Sequence, residues 1–262
     1  AVDMYNTAVG HGAGSAVTTG VQNTLIGGLV GDALTDGSNN VALGINALSS
    51  DIRGSKATAI GSGALATQGF ASATDTYNTA VGFNSGVSVT TGVQNTLIGA
   101  LAGDALTDAD NNVAIGYHSL NADTLGSKSV AVGPYALYSQ NFTSATNSFN
   151  TAVGADAGLL VTTGVNNTLI GGLAGDAITT GNSNAALGFG ALGSNTTASD
   201  NTATGVNALT ANTTGGSNVA VGTYSLTANT TAANNTAVGY SSLRANTTGT
   251  QNTAMGASAL DA

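Results

Sequence analysis

A glycine that closes a short apolar run returns fifteen times along the chain, at Gly10, Gly27, Gly44, Gly61, Gly82, Gly99, Gly116, Gly133, Gly154, Gly171, Gly188, Gly205, Gly222, Gly239 and Gly256. The step from Gly10 to Gly27 is repeated throughout, except that four further positions are inserted between Gly61 and Gly82 and between Gly133 and Gly154. A fixed period of this length belongs to a structural unit that cannot bury its own apolar face and must stack on copies of itself. A second, longer period lies above the first, because Tyr5, Tyr77 and Phe149 open equivalent blocks. The expected organisation is a single domain over 1–262, with blocks 5–76, 77–148 and 149–262, belonging to a longer chain. Neither end carries the polar coil that normally caps a solenoid, so both ends are expected to abut more protein.

The columns of the repeat carry the fold. The residue before each anchor glycine is apolar in every coil but one (Val9, Ile26, Leu43 and so on, with Thr204 the exception) and is expected to point into a core. The residue before that is small, usually Ala, but Leu25, Leu97 and Leu169 replace it in the second coil of each block. Four residues after the anchor stands Leu, replaced by Gly in the first two coils of each block. Asn stands four residues before the anchor in 13 of 15 coils, with Ala57 and Ser129 in the other two. Stacked at about 4.8 Å, these amides are expected to form a ladder in which each donates to the next, with Asn at a left-handed corner. Two apolar clusters per coil, broken by glycine, leave no helical stripe. The expected fold is all-β, a parallel β-solenoid or β-roll of 15 coils. Two or three large apolar side chains per coil make a thin core, so the coils are expected to pack against other chains, as a homotrimer.

Composition narrows the function. Only 6% of residues are charged and the net charge is −9. The four cations, Arg53, Lys56, Lys128 and Arg244, are scattered, so no phosphate backbone is expected to bind. No apolar run is long enough to cross a membrane as a helix. His11 and His118 are isolated, and no thiol or metal-spaced partner accompanies them. The glycine-rich stretch at Gly27-Gly28-Leu29-Val30-Gly31 lacks the following helix that a phosphate loop needs. Asp32, Asp104 and Asp176, with Asp36, Asp108 and Asp110 nearby, suggest either calcium-binding turns or solvated ones, and the solvated turn is preferred. No carboxylate pair suited to glycan cleavage is visible. Neither cofactor, metal site nor enzymatic activity is expected.

Runs such as Asn6-Thr7-Ala8-Val9-Gly10 and Thr18-Thr19-Gly20-Val21-Gln22-Asn23-Thr24-Leu25-Ile26-Gly27 resemble tail-fibre and tailspike repeats of bacteriophages. The core seen at Asn112-Val113-Ala114-Ile115-Gly116 and Ser129-Val130-Ala131-Val132-Gly133 is also similar to the head repeats of YadA-like trimeric autotransporter adhesins. The resemblance implies a trimeric parallel β-roll and covers nearly every coil, although the adhesin repeats are shorter than the repeat found here.

The expected function is a structural or adhesive segment of an extracellular fibre, most naturally a phage tail fibre on a virion, with a host-surface glycan or protein as receptor. A bacterial adhesin head or extracellular filament subunit is the alternative. Ice binding is a further one, suggested by the threonine pairs Thr196-Thr197, Thr213-Thr214, Thr230-Thr231 and Thr247-Thr248. Aromatic residues cluster around the two longer coils, and Phe70, Tyr77, Tyr135, Tyr138, Phe142 and Phe149 form the candidate glycan or partner surface, since aromatic faces suit both.

Overall fold

A computed structural model describes residues 3–261 and contains strands, turns and no helix within that span. The chain divides into two compact units, Ala1–Ser129 with Asn141–Thr146, and Val130–Gln140 with Asn147–Ala262. Both are parallel β-solenoids. The first holds seven three-residue strands, from Thr7–Val9 to Val113–Ile115, and the second holds eight, from Val130–Val132 to Thr253–Met255, giving fifteen turns in all. Within each unit, equivalent residues of successive coils lie opposite one another: Ala80 faces Leu97, Leu97 faces Ala114, and Ala220 faces Ala237.

Each rung is shaped by four positions with positive φ: the fifth residue before the anchor glycine, the anchor itself, and the second and fourth residues after it. At the anchor the requirement is absolute. A Cβ on Gly99, at φ +133, would stand 2.5 Å from the carbonyl oxygen of Gly116 one rung on. The column before the asparagines (Gln22, Asn39, Lys56, Gln94, Asn111) is the left-handed corner, so the corner lies one residue earlier than the sequence suggested. Leucines four residues after the anchor, such as Leu48, Leu65, Leu192 and Leu209, hold φ near +50 while fully buried. Left-handed backbone costs roughly 1–2 kcal/mol per residue and burying a leucine returns roughly 1.5–3 kcal/mol, so packing outweighs strain there.

The structure reverses the expected facing of the strands. The small column points inward: Ala42, Ala59, Ala80, Ala114, Ala152 and Ala186 are all fully buried. The aliphatic column before the anchor points outward, with Leu43 47% and Ile98 37% exposed. Strand periodicity establishes which residues share a face and leaves open which face is inside. The close approach of backbone to backbone at the anchors narrows the coil, and only the smaller column fits within it.

Two sets of side chains fill this interior. Where Leu stands four residues after the anchor, the strand carries Ala. Where the strand carries Leu25, Leu97 or Leu169, glycines above and below make room: a Cβ on Gly86 or Gly103 would meet Leu97 Cδ atoms at 2.5 and 2.8 Å. Val89 and Leu106, seven residues after their anchors, complete that layer. In the leucine rungs the same position is polar yet buried, as in Asp51, Gln68, Asn195, Asn212 and Asn229.

The asparagine column stacks as expected but with different partners. Each amide oxygen accepts the backbone N–H of the next asparagine, as from Asn112 to Asn95 Oδ1 at 3.0 Å. The amide nitrogen donates mainly to a backbone carbonyl of the following turn, as from Asn95 to Ala109 at 2.7 Å, and in places also to the neighbouring amide oxygen as expected, as from Asn184 to Asn167 Oδ1 at 3.1 Å and from Asn252 to Asn235 Oδ1 at 3.0 Å. Amide-to-amide donation is the rule in a second column, from Asn212 to Asn195 Oδ1 at 3.2 Å and from Asn229 to Asn212 Oδ1 at 3.0 Å.

Two substitutions test this packing. Gly99→Ala is expected to lower the urea midpoint far more than Gly256→Ala, because only Gly99 has a backbone carbonyl in the way; at Gly256 the nearest heavy atom to an added Cβ is 3.9 Å off. Leu97→Ala is expected to cost about 2–5 kcal/mol. Gly103→Ala should be less damaging in the Leu97→Ala background than alone, a non-additivity that a double-mutant cycle in urea measures.

Candidate functional site

The outward face of the ladder is the principal surface feature. Each three-residue strand is threonine, valine or alanine, then a residue buried in all but Ala8, then an aliphatic in all but one, so the first and third side chains point away from the interior. In the first unit the third residues include Ile26, Leu43, Ile60, Val81, Ile98 and Ile115. In the second they include Ile170, Leu187, Val221, Val238 and Met255. The residue after the anchor adds further exposed apolar groups, among them Ile45, Phe83, Tyr117, Phe189 and Val206. Exposed apolar groups in this number are unusual on a monomer surface. Sequence reasoning missed this face by assigning the larger column to the core; the predominance of Ala in the other column was the available signal.

Of the six aromatic residues expected to form a binding surface, two lie in the interior and four reach the surface in part or in full. Phe70 and Phe142 are buried, each 6% exposed. Their backbone N–H groups point to the buried carboxylates of Asp51 and Asp123, at 3.5 and 3.1 Å. Tyr135 and Tyr138 meet edge to face at 5.6 Å, Tyr135 exposed and Tyr138 half-buried. Phe149 is exposed. Tyr77 is exposed and tethered: Lys56 Nζ donates to Asp75 Oδ2 at 2.6 Å and to the Tyr77 hydroxyl at 3.1 Å, and lies 5.1 Å from the ring centre. The inserted residues of the long coil thus fold partly onto the coil itself.

The acidic turns do not converge: among the described residues no three acidic or imidazole groups are placed to hold a metal ion. Asp36 pairs with Arg53 at 3.6 Å, Asp108 accepts the Thr91 hydroxyl at 2.6 Å, and Asp110 accepts the Val93 N–H at 2.8 Å. His118 lies 2.9 Å from the Asn121 amide, which also bonds Asp104. In the first three threonine pairs the first hydroxyl donates to the carbonyl of the next rung, as from Thr196 to Thr213 at 3.3 Å and from Thr213 to Thr230 at 3.1 Å. The second, Thr197, Thr214, Thr231 and Thr248, is exposed in single file.

Asp51 carries a carboxylate into the interior of the coil. It is fully buried and accepts hydrogen bonds from the Gly54 N–H at 2.9 Å and from Gln68 Nε2 at 2.7 Å. Gln68 Oε1 in turn accepts from Asn78 Nδ2 at 2.8 Å, joining Asp51 to the asparagine ladder where Ala57 interrupts it. Burial pushes the carboxyl above its ordinary value of 3.8, and the hydrogen bonds only partly offset that push. No helix of the described residues is long and apolar enough to cross a membrane. No protein-family model matches the chain, and a search of curated proteins finds no match.

A carboxyl whose pKa is raised by folding stabilises the fold most below 3.8 and loses that contribution as pH rises through the folded value. Asp51→Asn, which places at this position the residue that Asn195 and Asn212 supply in later rungs, is therefore expected to raise the thermal midpoint at pH 7. It should also flatten the dependence of that midpoint on pH above 3.8. A lower midpoint for the variant at pH 7 would contradict the assignment.

Proposed function

We propose that the chain is a non-catalytic segment of an extracellular fibre, assembled as a parallel homotrimer through the outward aliphatic face of its ladder, with a phage tail fibre as the leading setting and a bacterial adhesin head or filament subunit as the alternative. The observation that carries this reading is the column of outward Val, Ile and Leu repeated from rung to rung, exposed in some rungs and half-buried in others. A face of this kind is satisfied by an identical face, and a closed cyclic assembly leaves none of it uncovered. The number three follows from the resemblance to trimeric phage and adhesin repeats. The stacked rungs, the few charges and the absence of a converging acid–base cluster among the described residues favour rigidity and display over chemistry. A virion or cell-surface location and a host glycan or protein receptor belong to the same proposal.

One observation favours ice binding as a second reading. The outward face pairs a threonine column (Thr79, Thr96, Thr151, Thr168, Thr236) with the aliphatic one on a regular parallel ladder. The two readings compete for one face, so an assembly that buries it excludes ice from it.

Native mass separates them. The fibre proposal expects three times the 25.1 kDa of one chain, and expects Ile98→Asp with Ile115→Asp to shift the species to a monomer that keeps its β-sheet circular dichroism. A monomeric parent chain overturns the trimer. Thermal hysteresis from such a monomer would favour ice binding.

A further inference from the structure

In the second unit a cavity of about 300 Å³ opens across the rungs marked by Gly222 and Gly239, lined by Tyr224, Thr227, Ala228, Tyr240, Ser241 and Arg244. Tyr224 is the second residue after its anchor and holds φ 57, which turns its ring out of the rung; Tyr240 is the first residue after the next anchor. The two rings stand 6.3 Å apart at 82°, so one offers a face where the other offers an edge. They are 39% and 58% exposed. Arg244 donates from Nε to Asp261 Oδ1 at 2.8 Å, and its Nη groups have no acceptor among the described residues. Ser241 is buried apart from what it shows to the cavity, and its hydroxyl has no hydrogen-bond partner among the described residues.

These residues depart from the repeat. Arg244 is the only cation in its column, which otherwise holds residues such as Ser49, Asp104, Thr210 and Thr227. Stacking does not require an arginine or a tyrosine pair here, because the neighbouring rungs stack without them.

We infer that this cavity binds a neutral pyranose sugar. A pyranose has an apolar C–H face and a rim of hydroxyls. The exposed tyrosine face takes the first, and the Arg244 Nη donors with the Ser241 and Thr227 hydroxyls take the second. Asp261 already neutralises the guanidinium and the chain carries net charge −9, so the site favours an uncharged ligand over an acidic one. This deepens the adhesive proposal above and rests on it for its biological setting, a glycan on the host surface, and it requires an assembly through the aliphatic column that leaves Tyr240 uncovered.

The test uses the full chain and saturation-transfer NMR with the methyl glycosides of glucose, galactose and mannose, and with glucuronate as the anionic control. At least one neutral glycoside is expected to bind, with ring-proton shifts at Tyr224 and Tyr240. Tyr240→Ala and Arg244→Met are each expected to weaken that binding by about tenfold while the urea midpoint stays unchanged. Failure of all three glycosides to bind overturns the site, as does binding that both variants retain in full. Tighter binding of glucuronate than of any neutral glycoside overturns the preference for an uncharged sugar. Native mass on the same sample separates the two proposals. A trimer that binds no glycoside rejects the sugar site alone, and a monomer that binds one rejects the assembly alone.

Discussion

Backbone touches backbone wherever one anchor glycine lies over the next, and the rest of the molecule follows from that contact. No side chain fits between Gly99 and the Gly116 carbonyl, or between Gly205 and its neighbour Gly222. The coil is drawn in on that side, and the strand leading into the glycine can turn only a small residue inward unless glycines elsewhere make room. Alanine fills most of the column, and the larger aliphatic beside it is left outside. The exposed apolar face is thus a consequence of how tightly the rungs stack.

The interior shows how a narrow coil tolerates two solutions. Leu97 reaches into space vacated by Gly86 and Gly103, while Leu48 or Leu192 grows from the opposite turn at the cost of a left-handed backbone. The seventh residue after the anchor changes with them: apolar in Val89 and Leu106, polar in Asp51, Gln68 and Asn195. A buried polar group is tolerated when it is hydrogen-bonded. Asp51, Gln68 and Asn78 meet that condition through one hydrogen-bonded chain. Asp51 still bears a desolvation penalty, which raises its carboxyl pKa.

Much of this was legible in the residues. The period, the strand positions, the glycine turns and the stacked asparagines all follow from spacing. Facing was not, because alternation groups Ala80 apart from Val81 without saying which is inside; the backbone approach at the anchor decides it. Phe70 and Phe142 read as surface aromatics because they sit in an insertion among polar residues, and their burial depends on how that insertion folds over a neighbouring carboxylate. Arg244 was visible as an isolated cation, but its alignment with two tyrosines needs the geometry of two successive rungs.

Everything rests on direct rung-over-rung stacking, and a distance measurement tests that most directly. The chain has no cysteine, so spin labels can be placed singly at exposed threonines of the second unit without altering a native thiol. Labels at Thr163 and Thr248, five rungs apart in one column, should lie about 24 Å apart at about 4.8 Å per rung. Labels at Thr163 and Thr231 should lie about 5 Å closer, measured by pulsed electron resonance after dilution with unlabelled chain. A separation that fails to grow by one rung spacing for each added coil would contradict the account.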